Sequence, residues 1–224
     1  MTNRLSVEST QRTLKRDTGC SLGWRWDQEN RSLSNTKFGE VRQVSILDDE
    51  SGKVLWDQPV HIEPVGAICV PITKSGKIRL RRQFRPIVHP GGVEQQFPEV
   101  LPEGEWGREF LGVARGFPEK GESEEKTARR ETEEETSVAV LGVERIGEIN
   151  ANAAFFHHMI PVFVVYINED FKGDLSGDIN EVILEGFDCP VDRVRRLISG
   201  AHIQDALDIS AISLYLFWQE SQQK

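Results

Sequence analysis

The chain has 224 residues, of which 38% are hydrophobic and 28% charged, and its formal net charge is −9. This length and apolar content predict one domain with extensions, or a domain with a small second layer. The negative charge argues against non-specific nucleic-acid binding, because the phosphates would be repelled. Three widely spaced cysteines, no secretory signal and no apolar run of membrane-spanning length favour a cytoplasmic protein without membrane contact.

The first 37 residues are polar and show little periodicity, so we expect a loosely ordered N-terminal arm over residues 1–37. Its Trp24 and Trp26 would either pack on the body of the protein or make a chance surface contact. The main domain is predicted over residues 38–224 and begins with a strand extension at residues 38–60.

A hairpin and a long insertion follow this extension. Residues 66–73 and 77–84 are β-rich runs joined by a short Ser-Gly turn. Alternation places Arg79 and Arg81 on the face of the second strand opposite its apolar residues. The insertion at residues 86–108 is rich in Pro, Gly and Glu and is unusually long for a compact domain.

The remaining chain alternates between strands and helices. After a Gly/Pro loop, Ser123 is a typical N-cap for a polar helix that continues to about Thr136. Strands are then predicted at residues 138–149, 159–167 and 182–187, an acidic loop at 169–180, and helices at 190–198 and 206–218. Strands flanked by helices in this way imply a mixed sheet sandwiched between helices.

The polar helix carries a cluster of carboxylates. Glu131, Glu134 and Glu135 have the spacing i, i+3, i+4 and therefore project from one face, and Glu122 lies just before the helix. Such a cluster suits a hard divalent cation such as Mg²⁺, which prefers oxygen ligands and is often completed by substrate phosphates. The alternative is a solvated acidic helix, which is the common explanation of a charge run.

The full spacing of this segment resembles the box of the Nudix hydrolases. Seven positions fall in register with it, namely Gly116, Glu122, Arg130, Glu131, Glu134, Glu135 and Val138. A match at so many fixed positions is far more specific than a lone short motif. Two residues depart from it: Thr132 stands at an apolar position, and Ser137 replaces the glycine that would end the helix.

The flanking segments extend the resemblance to the ADP-ribose and ADP-sugar branch of this superfamily. Residues 82–86 and 199–206 are similar to that branch, whereas Gly112 and Ala154 stand where it often has an acidic residue and a proline. The resemblance implies an α/β fold: a Nudix-type α/β/α sandwich with a mixed sheet and an N-terminal antiparallel strand extension. It also implies a homodimer formed through the N-terminal strands.

The resemblance assigns roles to the box residues. Mg²⁺, or Mn²⁺ as a substitute, would be held by Glu131, Glu134 and Glu135, with Glu122 ligating directly or through water. Arg130 is expected to pair with a box carboxylate and orient it. The general base would come from the acidic loop, where Glu181 and then Asp178 are favoured over Glu169, Asp170 and Asp174, or would be a box glutamate such as Glu134.

Arg85, Arg115 and Gly116 are the candidate substrate contacts, because arginine suits bidentate phosphate recognition and Gly116 begins the box. For either arginine a surface salt bridge is the alternative. The expected reaction is Mg²⁺-dependent hydrolysis of a nucleoside diphosphate derivative such as ADP-ribose or an ADP-sugar. A non-catalytic nucleotide sensor and a pyrophosphatase for dinucleoside polyphosphates or NADH are the alternatives.

Overall fold

The computed structural model describes residues 24–26, 31–36, 39–48, 51–85, 108–169 and 182–222. The chain divides into two compact units, one with residues 1–64 and 152–158 and the other with residues 65–151 and 159–224. None of the helices in the described ranges has the length and apolar character needed to cross a membrane.

In the first unit, the residues that the structure describes include a four-stranded antiparallel sheet. Its strands are β1 (Trp24–Trp26), β2 (Arg31–Thr36), β3 (Gly39–Asp48) and β4 (Val54–Ile62). The long strand β3 pairs with each of the other three, and its alternating Val44 and Ile46 meet Val60 in a small core. Strands β3 and β4 match the predicted strand extension, whereas β1 and β2 lie in the segment for which only a loose arm was predicted.

Three histidines of this unit lie close together. The rings of His157 and His158 have centroids 5.2 Å apart, and Nδ1 of His157 lies 3.4 Å from the backbone oxygen of His61. We call these three residues the histidine cluster. Burial, followed by the charges of His157 and His61, lowers the pKa of His158, even though the Glu63 carboxylate lies 3.5 Å from its Nε2.

In the second unit, the described residues form a seven-stranded mixed sheet. Its strands are β5 (Ala67–Thr73), β6 (Ile78–Arg85), β7 (Arg108–Gly112), β8 (Ala114–Gly116), β9 (Ala139–Ile149), β10 (Ile160–Asn168) and β11 (Val182–Cys189). The order is β11-β6-β5-β10-β9, with β7 paired to β6 and β8 paired to β5. Strand β5 runs parallel to β10, and each of its residues is buried, as expected for a central strand covered on both faces.

Helices cover both faces of this sheet. They are α1 (Glu124–Thr136), α2 (Val191–Ser199) and α3 (Ala206–Gln222). Cys69 of β5 packs with Ala128 of α1 on one face, whereas Ile68 and Val70 face the side that carries α2 and α3. The unit is therefore an α/β/α sandwich with a mixed sheet, which confirms the predicted fold class.

The predicted hairpin exists only near its turn. Strands β5 and β6 pair at Ile72 and Ile78, around a turn in which Gly76 has a φ of +75°, a value that favours glycine. Farther along, β5 pairs with β8 and β6 pairs with β7, so the segment 108–116 inserts between the two hairpin strands. This insertion brings Arg115 and Gly116 onto the sheet beside α1. Of the predicted long insertion, residues 86–107 lie outside the described residues.

Candidate active site

Helix α1 begins and ends at defined caps, even though the sequence departs from the Nudix box near its end. The Ser123 side chain accepts a hydrogen bond from the Lys126 backbone N–H at 3.3 Å. Ser137 adopts the left-handed conformation, with a φ of 54°, and its N–H donates to the Glu133 carbonyl, as a terminating glycine would. Thr132 is fully buried at the apolar position, where its hydroxyl donates to the Ala128 carbonyl at 2.8 Å. Both departures are therefore accommodated locally.

Two of the three box glutamates of α1, Glu131 and Glu135, are buried, and the third, Glu134, is partly exposed. Glu131 and Glu135 are 8% and 1% exposed, and Glu134 is half-buried. The i, i+3, i+4 spacing thus produces the common face that the sequence predicted. Because buried carboxylates are costly without partners, each needs compensating positive charge or hydrogen-bond donors.

Arg130 provides that compensation for three of the four carboxylates. Its guanidinium nitrogens lie 2.8 Å from Glu131, 3.0 Å from Glu134 and 3.1 Å from Glu122. A fourth contact, to the Phe117 carbonyl at 2.8 Å, ties the helix to the preceding loop. Hydrogen bonds from Arg130 are the main cause that lowers the pKa of Glu122 to about 2. Arg130 thus pairs with box carboxylates, and its role in orienting them as metal ligands stays a prediction.

At Gly116 the backbone of strand β8 lies close to the Glu131 carboxyl group. A Cβ atom at this position would lie against the Glu131 carboxyl group far closer than the 3.0 Å that real Cβ contacts keep. Gly66 is also closely packed, since a Cβ atom there would lie 2.5 Å from the Gly116 carbonyl oxygen. The glycine at the start of the box is therefore required for close approach of backbone and carboxylate.

Glu135 is held from the sheet rather than by Arg130. One carboxylate oxygen lies 3.0 Å from an Arg81 guanidinium nitrogen, in a pair whose side chains are 2% and 1% exposed. The other oxygen accepts a hydrogen bond from the Arg115 backbone N–H at 2.9 Å. Strands β6 and β8 thus fix this carboxylate from two directions.

The Arg115 side chain, one of the predicted substrate contacts, points to α3. Its guanidinium makes a bidentate pair with Asp205 at 2.7 and 3.0 Å. Burial alone would lower the pKa of Arg115, but Asp205 and Asp208 outweigh it and raise that pKa. A phosphate contact by this guanidinium would have to compete with two carboxylates, so the structure favours the salt-bridge alternative.

Asp208 of α3 takes the space that a side chain at position 112 would need. A Cβ on Gly112 would lie against its carboxylate, which accepts a hydrogen bond from the Val113 N–H at 3.3 Å. The family resemblance places an acidic residue at position 112. In this chain glycine leaves room for a carboxylate supplied by α3 instead.

The remaining predicted site residues are Arg85 and the candidates for the general base in the acidic loop. Arg85 is half-buried at the end of β6, where the strand pairs with β7. The favoured base candidates Glu181 and Asp178, together with Asp170 and Asp174, lie outside the described residues. Glu169 follows β10 and accepts a hydrogen bond from the Ser75 hydroxyl at 3.2 Å.

The carboxylate oxygens of the box fit a hard divalent cation, which prefers such ligands. Among the residues that the structure describes, no three histidine, cysteine or acidic side chains are already arranged around one metal position. Arg130 explains this, because its guanidinium lies among the carboxylates of Glu122, Glu131 and Glu134. A bound cation would share these oxygens with Arg130 or displace it from some of them.

The family model of the NUDIX domain matches residues 63–204, which is more than half of the chain. The chain belongs to the NUDIX family. One similar solved structure, described as "Crystal structure of ADP compounds hydrolase", superposes with a TM-score of 0.61 at 18% sequence identity and covers 87% of this chain and 94% of its own. No curated protein matches the chain in sequence.

The protein is accordingly a NUDIX pyrophosphohydrolase, as the box predicted. Members of this family generally use divalent metal ions, which agrees with the carboxylate face of α1. The sequence pattern predicted the box glutamates and Arg130 as site residues, but it did not predict Arg81, Asp205 or Asp208. The available signals were the alternation on β6, which put Arg81 opposite the apolar residues, and the two acidic positions at the start of the last helix.

Proposed function

We propose that this NUDIX hydrolase cleaves the diphosphate bond of a nucleoside diphosphate derivative, ADP-ribose or an ADP-sugar, in a Mg²⁺-dependent reaction. The products would be a nucleoside monophosphate and a phosphorylated remainder. The observation that carries the proposal is that Arg130 contacts three box carboxylates and Arg81 contacts the fourth, inside a domain of this family. The similar solved structure is described as an ADP compounds hydrolase, which supports an adenine nucleotide as the substrate class.

Glu131, Glu134 and Glu135 would hold the metal, with Glu122 as a direct or water-mediated ligand. A divalent cation at these oxygens would lower the pKa of a bound water and offset the negative charge of the diphosphate. Arg130 keeps the ligand carboxylates together, and Gly116 allows Glu131 to approach the backbone of β8. An acidic chain needs such local positive charge to accept a polyphosphate at all.

The proton acceptor and a phosphate contact are proposed from the sequence pattern. We propose Glu181 or Asp178 of the acidic loop as the base, with Glu134 as the alternative within the box. Glu134 is the most exposed of the three box glutamates on α1, since 38% of its side chain is accessible. Arg85 is proposed as a phosphate contact, and the protein is proposed to act as a cytoplasmic homodimer, which sedimentation can test.

A substrate panel tests the proposal. The protein is incubated with ADP-ribose, ADP-sugars, NADH and dinucleoside polyphosphates in Mg²⁺ or Mn²⁺, and the phosphate products are identified. We expect release of AMP from ADP-ribose or an ADP-sugar that stops when EDTA is added. Turnover that continues without a divalent cation would contradict the mechanism.

The double variant Glu134→Gln, Glu135→Gln should abolish this release. Glu125→Gln is the matched control, because Glu125 lies in the exposed first turn of the same helix. Unchanged turnover in the double variant would remove the box from the mechanism. Calorimetric binding of ADP-ribose without any product would instead favour a nucleotide sensor.

A further inference from the structure

Arg81 is a charged residue in the interior of the sandwich. It lies on β6, its side chain is 2% exposed, and its Nε donates a hydrogen bond to the Val113 carbonyl at 2.9 Å. A guanidinium is always charged, so its burial is unfavourable unless a carboxylate lies beside it. The carboxylate it meets, at 3.0 Å, is that of Glu135.

Glu135 differs from an ordinary core carboxylate because of its position on α1. It lies one turn after Glu131, on the same face of the helix, and belongs to the set that would bind the metal. The Arg81 guanidinium reaches one of its oxygens, and the Arg115 backbone N–H reaches the other. Groups of the sheet therefore contact both oxygens of this carboxylate.

The two arginines divide the box between them. Arg130, on the helix itself, contacts Glu131 and Glu134, whereas Arg81 contacts the most deeply buried carboxylate, that of Glu135. Hydrogen-bonding partners that orient a metal ligand typically influence metal affinity strongly, although they never touch the metal. Arg81 can act on Glu135 in the same way, as an ion-pair partner 3.0 Å from one of its oxygens.

We propose that Arg81 is a positioning residue of the NUDIX box, which fixes the Glu135 carboxylate so that it can serve as a ligand of the divalent cation. The inference rests on the metal site of the proposed function. It does not depend on which nucleotide is hydrolysed.

The test is a titration with Mn²⁺ alone, followed by electron paramagnetic resonance of the free ion, without any substrate. Arg81→Met should raise the Kd for Mn²⁺ about 10–100-fold, the range found when an orienting partner of a ligand is lost. Arg81→Lys keeps the charge but loses the planar donor geometry, and it should also raise the Kd. An unchanged Kd in either folded variant would overturn the proposal.

Arg79→Met is the matched control. Arg79 lies on the same strand and face, and it pairs at 2.8 Å with Asp188 of β11, which is not a box residue. Its loss should leave the Kd for Mn²⁺ at the wild-type value. A rise as large as that of Arg81→Met would mean that any lost arginine of β6 disturbs the site, and would contradict a specific role.

The double variant Arg81→Met, Glu135→Gln separates positioning from folding, because it leaves no unpaired buried charge. We expect a folded protein whose Kd for Mn²⁺ stays as high as in Glu135→Gln alone, since both changes act on one ligand. Recovery of wild-type affinity would show that the pair is only structural. Wild-type protein that binds Mn²⁺ but hydrolyses no ADP compound would refute the proposed function while leaving this inference testable.

Discussion

Replacement of Gly116 by alanine should separate activity from stability in this domain. The new Cβ would lie against the Glu131 carboxyl group, inside the 3.0 Å limit of real Cβ contacts, so the carboxylate must move by about 1 Å. A misplacement of that size in a reacting site costs roughly 100-fold in rate. The obstacle is the end of a flexible side chain, and the φ of Gly116 is not positive, so we expect little change in the free energy of unfolding.

The assay compares kcat/KM for Mg²⁺-dependent hydrolysis with the urea midpoint of the same preparations. Gly142→Ala is the control, because a Cβ there would meet only Tyr166, at an ordinary distance of 3.5 Å. Its kcat/KM should stay near the wild-type value. Full activity in Gly116→Ala would refute the reasoning, because it would mean that the approach of Glu131 to β8 has no part in catalysis.

Three further changes are predicted. Glu134→Gln should lower kcat about 10²–10³-fold, measured by AMP release. Its free energy of unfolding should change by less than about 1 kcal/mol, because this side chain is partly exposed. Arg81→Met should lower the free energy of unfolding by about 3–5 kcal/mol, or Tm by roughly 6–20 °C in calorimetry, because the buried Glu135 carboxylate loses its ion-pair partner. A loss below about 1 kcal/mol would contradict this. Burial lowers the pKa of His158, so the folded state resists its protonation, and stability should fall as the pH drops below about 6.5. His158→Gln should flatten that slope in urea titrations between about pH 5 and 8, and an unchanged slope would exclude His158 as its source.

Local signals were sufficient to predict most of the second unit. The N-cap at Ser123 and the periodic spacing of the glutamates located α1 almost to the residue, because caps and helical spacing depend only on neighbours in sequence. The apolar run that became β10 was recognised for the same reason. The order of the strands was not predicted, since pairing between distant segments leaves no mark in a single sequence.

The first unit shows the opposite case. Strand β1 is only three residues long and β2 is mostly polar, so neither shows an alternation long enough to mark it. Both form because β3 offers backbone hydrogen bonds along its length. The insertion of residues 108–116 between β5 and β6 was missed for a related reason, since the two flanking runs have the composition of a simple hairpin.

The same difference between local and long-range signals applies to the site residues. Glu122, Glu131, Glu134 and Glu135 could be chosen from spacing alone, and so could the orienting role of Arg130, which lies on the same helix. The burial of Arg81 could not, because alternation fixes the face of a strand but not what covers that face. Because α1 covers this face of β6, Arg81 lies beside the Glu135 carboxylate.

We propose that hydrolysis depends on a divalent cation bound by the α1 carboxylates. Anomalous diffraction from crystals soaked in Mn²⁺ tests it most directly, since the ion is located without reference to any activity. We expect a manganese peak beside Glu131 and Glu134, and loss of that peak in the Glu134→Gln, Glu135→Gln variant. A protein that hydrolyses ADP-ribose with Mn²⁺ but shows the ion bound elsewhere, with the box carboxylates still closed around Arg130, would contradict the account.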